Sequence, residues 1–212
     1  MDFDYINTPT LFVIFAALIG IIRFEYLKRY EYLILIIFLS NIVFDLIAIN
    51  LGKQKINNSF CYNLLNPIEL ILTLIIYYNY FPSGNIKKIL AISMSAFLLF
   101  AILNIIFIQN FFTEFDNYTF FIGGTIVSIF SYFVWRNEIL NNVISPHNII
   151  LWFAAANFVY YTLTIPIMSA HNWLSFYSKD LAFPIYAINK VIYGIWAVII
   201  GTGLIWKRQR AI

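Results

Sequence analysis

The segment Leu181–Trp206, LAFPIYAINKVIYGIWAVIIGTGLIW, constrains this chain more tightly than any other. It is long and apolar enough to cross a bilayer as one helix, and it runs into Lys207, Arg208 and Arg210. Yet Lys190 stands about two and a half turns inside it, beside Asn189. An ammonium at that depth costs at least about 3 kcal/mol unless it is paired, hydrated or neutral. The rest of the chain must therefore supply a partner or a wet cavity.

Six further apolar stretches precede it. Hydropathy and turn residues predict helices over Pro9–Ile22, Tyr32–Leu51, Tyr62–Tyr80, Ile89–Ile108, Phe120–Trp135 and Pro146–Met168. Gly52 ends the second and the turn Pro82-Ser83-Gly84 closes the third. Ser145 is expected to cap the sixth, with Pro146 at its first position, and Asp180 to cap the seventh. Only 11% of the 212 residues are charged and 62% are hydrophobic, too little charge to cover a soluble domain. The net charge of +3 sits at helix ends, which argues for membrane topology and against nucleic acid as a partner. Cys61 is the sole cysteine, so no intrachain disulfide or cysteine-rich metal site can form. The start, MDFDYINTPT, lacks a basic region and a small-residue cleavage site, so the first helix is not expected to be a cleaved signal peptide.

Basic residues orient the bundle. With the N-terminus outside, cytoplasmic segments hold Arg23, Lys28, Arg29, Lys87, Lys88, Arg136, Lys207, Arg208 and Arg210, against Lys53, Lys55 and Lys179 outside. The expectation is an all-α polytopic membrane protein of seven transmembrane helices, N-terminus outside and C-terminus cytoplasmic. It would form one domain, 1–212, in a cell membrane, with the bacterial inner membrane as the expected location.

An internal repeat is also expected. Arg23-Phe24-Glu25-Tyr26-Leu27 follows helix 1, and Arg136-Asn137-Glu138-Ile139-Leu140 follows helix 5. NIVFDLIAIN from Asn41 faces NFVYYTLTIP from Asn157, and Pro67-Ile68 faces Pro184-Ile185, each pair taken as opening its helix. A parallel 3+1+3 duplication would relate 9–81 to 120–206, with helix 4 at 89–108 as linker. In topology alone this resembles the three-helix-repeat families: SWEET sugar transporters, vitamin transporters and microbial opsins. No motif of those families is matched residue for residue, and the Pro-Gln pair of PQ-loop transporters is absent.

The polar centre carries the functional reading. Lys190 and Glu69 lie roughly 12 Å below the outer ends of helices 7 and 3, and Asp45 roughly 9 Å below that of helix 2. Asn66, Glu69, Thr73 and Tyr77 form one stripe on helix 3, and Asn41 and Asp45 lie one turn apart on helix 2. Asn157, Tyr161 and Thr164 share a face of helix 6; Tyr186, Asn189, Lys190 and Tyr193 share one of helix 7. The candidate site is thus Lys190, Glu69, Asp45, Asn189, Asn41, Asn66, Thr73, Asn157, Tyr161 and Tyr186, around a cavity open to the outside. A structural ion pair of Lys190 with Glu69 or Asp45 is the plainer alternative. Gly123, Gly124, Ser128 and Ser131 on helix 5, and Gly194, Gly201 and Gly203 on helix 7, predict close helix packing.

Three functions fit. The first is a permease for a small polar or charged solute, with Asp45 or Glu69 as proton carrier. The second is a membrane sensor read out by a cytoplasmic or membrane protein partner. The third is an opsin-like pigment with retinal at Lys190, although Tyr186 stands where microbial opsins usually place a second acid. No HExxH, GxSxG, Walker or prenyl-diphosphate motif occurs, so an enzyme is not expected.

Overall fold

The computed structural model describes residues 4–141, 145–169, 173, 176 and 179–207, with the side chains of all of these except 4–8 and 179–186. Seven long α-helices and no strand occur among them: α1 Asp4–Ile22, α2 Tyr32–Lys53, α3 Ser59–Tyr80, α4 Asn85–Phe107, α5 Asn117–Leu140, α6 Ile149–Ser169 and α7 Lys179–Trp206. Six of them, α2 to α7, are long and apolar enough to cross a membrane, whereas α1 offers only the shorter apolar stretch Pro9–Ile22. Apolar side chains also point outward throughout. Leu98, Leu99, Ile102, Ile106 and Phe107 of α4 are all exposed, as are Leu11, Phe15 and Leu18 of α1. Soluble monomers do not present apolar surface on this scale, and a hydrocarbon surround accepts it. This is the pattern of a helical integral membrane protein.

The helices close into a ring. α1 packs between α7 and α2, α2 against α3, α3 against α5, α5 against α6, and α6 against α7. α4 packs against α3 and α5 from outside the ring. Small residues set the spacing. A Cβ on Gly123 would fall 2.6 Å from Leu70 and 2.7 Å from Phe97, and one on Gly124 would fall 2.8 Å from the Tyr161 ring. The predicted close packing of α5 therefore holds at both glycines. Gly84, at φ +153°, adopts a backbone that a Cβ forbids, which is why the turn before α4 needs glycine.

Several local expectations are corrected. α6 begins at Ile149, not Pro146: the Asn148 side chain accepts the Ile150 N–H at 3.1 Å, while Ser145 Oγ accepts from His147 within the preceding turn. The Ser145 carbonyl accepts from the Asn148 N–H and the Asn148 carbonyl from the Leu151 N–H, so a single turn at Ser145 precedes the helix that Asn148 opens. Asp180 is no cap either, since α7 is already helical at Lys179. Pro67 and Pro184 lie inside α3 and α7 rather than opening them. A proline frees the carbonyl four residues earlier, which a membrane helix tolerates beside a cavity or a packed neighbour. Finally, Arg136–Leu140 continues α5, whereas Arg23–Leu27 is a turn around the short 3-10 segment Phe24–Tyr26. These two matched sequences thus differ in conformation, because Glu138 is buried and holds its helix turn by accepting from the Tyr80 hydroxyl and from Asn148 Nδ2 at 3.3 Å.

The two ends of the bundle are built differently. At the end holding the α2–α3 turn, the 108–116 loop is tied down by Asn63, which donates to the Phe111 and Glu114 carbonyls at 2.7 and 2.6 Å and accepts the Asp116 N–H at 2.8 Å. Asp116 in turn caps α5 through the Thr119 N–H at 3.0 Å. Burial pushes its carboxyl above the usual carboxylate range, against the hydrogen bonds from Thr119 and Asn104. At the opposite end, Lys207 reaches back to Glu31, with Nζ 2.8 Å from both carboxylate oxygens and Glu31 fully buried.

Candidate functional site

Polar residues on three helices face one cavity of about 330 Å³. Its mouth lies at the α2–α3 turn, where Gly52, Lys53, Asn58 and Ser59 line it. Helical spacing brings the deeper residues there. Asn41 and Asp45 stand one turn apart on α2; Tyr62, Asn66 and Glu69 follow at four and three residues on α3; Asn189, Lys190 and Tyr193 come from α7. Pro67 sits between Asn66 and Glu69, so the stretch of α3 that carries these residues lacks one backbone bond. Phe115 and Phe120, held by the Asn63-tied loop and the start of α5, complete the wall with Tyr160 and Met168.

Lys190 meets Asp45 rather than Glu69. Its Nζ lies 4.0 Å from Asp45 Oδ1, at the outer limit of an ion pair. The same ammonium stands 5.6 Å from the Tyr62 ring centre and 6.0 Å from that of Tyr193, within range of cation–π attraction. Asp45 also accepts from the Thr10 hydroxyl of α1 at 3.0 Å. Among the described residues Glu69 is satisfied only by long contacts, from Asn41 Nδ2 at 3.4 Å and the Tyr161 hydroxyl at 3.5 Å. Two amide ends that are buried without a partner among the described residues, Asn66 Nδ2 and Asn189 Oδ1, belong to cavity-lining residues. In a low-dielectric interior such ends ask for a ligand or a water.

From the floor of the cavity a buried network runs on. The Tyr193 hydroxyl donates to Asn41 Oδ1 at 2.8 Å, and Asn41 Nδ2 donates to the Ile37 carbonyl at 2.9 Å. Asn157 Nδ2 donates to the Tyr77 hydroxyl at 3.1 Å, Trp196 Nε1 donates to Asn157 Oδ1 at 2.7 Å, and Tyr77 pairs with Ser131 at 2.8 Å. The two Asn–Tyr bonds share one sequence spacing. Asn157 stands 116 positions after Asn41, and Tyr193 stands 116 after Tyr77. Each bond crosses the bundle, one from α2 to α7 and the other from α6 to α3. Trp196 stacks on Tyr193 at 5.6 Å and meets Phe38 edge-on at 5.4 Å, so an aromatic layer underlies the polar one.

Of the ten candidate residues, six line the cavity: Asn41, Asp45, Asn66, Glu69, Asn189 and Lys190. Tyr161 stands behind Glu69, and Asn157 belongs to the buried network below. Thr73 is buried outside the cavity lining, and the side chain of Tyr186 falls outside the described residues. Sequence reasoning missed Thr10, Tyr62 and Tyr160. Thr10 could have been found as a hydroxyl among the apolar residues of α1. The tyrosines could not, because facing a cavity and facing the lipid interface leave the same mark in a sequence this aromatic. No protein-family model, curated protein or solved structure matches this chain.

Proposed function

We propose that this chain is a permease that binds a small solute in the cavity and passes it across the membrane. The observation that carries this is the cavity itself. It reaches from one end of the bundle to a layer holding Lys190, Asp45 and Glu69, and ionisable residues at such depth mark solute and ion pathways. The Lys190–Asp45 distance supports it, since a purely structural ion pair would close to hydrogen-bond length and this one stays loose beside open space. The far end is shut by the aromatic layer and by Glu31–Lys207, the arrangement of a carrier open on one side. We read α1 as the seventh span, the cavity mouth as the outer side and the C-terminus as cytoplasmic, on the distribution of Lys and Arg, with a bacterial inner membrane as the location. The crossed Asn41–Tyr193 and Asn157–Tyr77 bonds support a duplication in which α1–α3 and α5–α7 are halves related by a twofold axis along the membrane normal. The role proposed is carriage, not catalysis.

The test combines access with flux. With Cys61 replaced, Asn66→Cys should react with a membrane-impermeant thiol reagent from outside in intact cells, and vesicles of purified protein should show saturable solute uptake. Reaction only from the inside, or a layer closed from both sides, would refute the reading. Tight binding without flux would favour a sensor, and visible absorbance after adding retinal, lost in Lys190→Ala, would favour a pigment.

A further inference from the structure

The charges in the deep layer of the cavity do not balance: Lys53, the other lysine of its lining, stands exposed at the mouth, about 12 Å along α2 from Asp45. Lys190 is matched by Asp45 at 4.0 Å, while Glu69 has no cation within ion-pair distance among the described residues. Its two hydrogen-bond contacts, at 3.4 and 3.5 Å, are too long to substitute for a counter-charge. A carboxylate in a cavity walled by lipid-embedded helices is stable only when protonated or when a cation sits beside it. The walls favour a cation with an organic body. Tyr62, Tyr160 and Tyr193 offer aromatic faces, Phe115 and Phe120 offer apolar surface, and the unpartnered Asn189 Oδ1 offers an acceptor for an N–H. An anion would satisfy Lys190 but would leave two carboxylates facing it.

Resting on the reading of the cavity as a solute site, we propose that its ligand is a small organic cation, a primary ammonium with an apolar body, held with its charge on Glu69. The ammonium donates to Glu69 and to Asn189 Oδ1, and the body lies against the aromatic wall. One added positive charge makes the deep layer neutral with Asp45, Glu69 and Lys190 all ionised. A proton on Glu69 achieves the same neutrality, so ligand and proton exclude each other there. The titratable groups that set this competition are Asp45 and, at the mouth, Lys53 from α2, Tyr62 from α3, Tyr160 and Tyr161 from α6, and Lys190 and Tyr193 from α7.

The test uses N,N′-dicyclohexylcarbodiimide, which adds to a protonated carboxyl, with the Glu69 adduct, counted as N-acylurea plus any N-propylamide formed by aminolysis of the O-acylisourea, read by peptide mass mapping on wild-type protein. n-Propylammonium, 1-propanol and propionate are compared at equal concentration, ionic strength and neutral pH. The expected result is at least a tenfold loss of the Glu69 adduct with n-propylammonium and no change with the other two. Equal protection by 1-propanol would show that filling the cavity, not charge, governs binding, and would overturn the proposal. Protection by propionate would place an anion on Lys190 and would overturn it too. Should the reagent leave Glu69 unmodified, thermal shift gives the answer: n-propylammonium must raise the Tm of wild type and not of Glu69→Gln, and equal shifts refute the assignment. Failure of all three probes while Asn66→Cys still reacts from outside would reject the ligand class and leave the solute site intact. Loss of that outside reaction as well would reject both.

Discussion

Lys207→Met should destabilise the protein by about 3–5 kcal/mol, through a contact that no motif announces. Lys207 Nζ lies 2.8 Å from both oxygens of Glu31, a residue with no exposed surface. At this separation the Coulomb attraction is roughly 6 kcal/mol at an effective dielectric of 20, and desolvation of the two groups offsets most of it. Removing only the ammonium leaves the desolvation of Glu31 uncompensated except by the Lys28 N–H at 2.7 Å. The double substitution Glu31→Leu/Lys207→Met removes both charges and should therefore cost less than either single change. The measurement is equilibrium unfolding in mixed micelles by SDS titration, for wild type, both singles and the double. A coupling of at least about 2 kcal/mol is expected. An additive cycle, or a Lys207→Met change below about 1 kcal/mol, would mean that the pair is hydrated and does not lock the closed end.

The Lys190–Asp45 pair, longer at 4.0 Å and beside the cavity, should show a smaller coupling of about 1 kcal/mol in the cycle of Lys190→Met with Asp45→Leu; a coupling as large as that of Glu31–Lys207 would contradict its hydration. Gly203→Ala should cost about 1–3 kcal/mol, because the new Cβ would fall 2.5 Å from Trp152 Cβ, while Gly194→Ala, 3.4 Å from Phe12, should be nearly neutral; thermal unfolding of the two variants checks the contrast. Asp116 should make stability pH-dependent. Its folded-state carboxyl titrates above the ordinary 3.8, so its contribution is fully present below that value and is lost as pH rises through the folded pKa. The difference in Tm between wild type and Asp116→Asn should therefore change across that window, and a flat difference would refute the assignment.

Much of this protein can be read from its sequence because a bilayer leaves few options. Backbone groups cannot be left unpaired in hydrocarbon, so each long apolar stretch had to be a helix, and all seven helices occur near their expected places. The isolated polar residues were legible for the same reason: Asp45, Glu69 and Lys190 stand out because an apolar helix has no other cause to carry them, and all three reach one cavity. Helix ends were less legible, since Asn148 and Ser145 are equally good caps in isolation and only the local turn chooses between them. Pairing was not legible at all. Glu31 and Lys207 read as ordinary charges at membrane-flanking turns, yet closure of the ring by α1 and α7 buries them against each other. Likewise Lys190 had two acids within reach by depth, and the helix order gave it Asp45 and left Glu69 without a cation at ion-pair distance among the described residues. Depth follows from counting residues along one helix, but a partner depends on how helices rotate and pack around a shared axis. That angle is set by contacts such as Gly123 on Leu70 and Phe97, which no single helix contains.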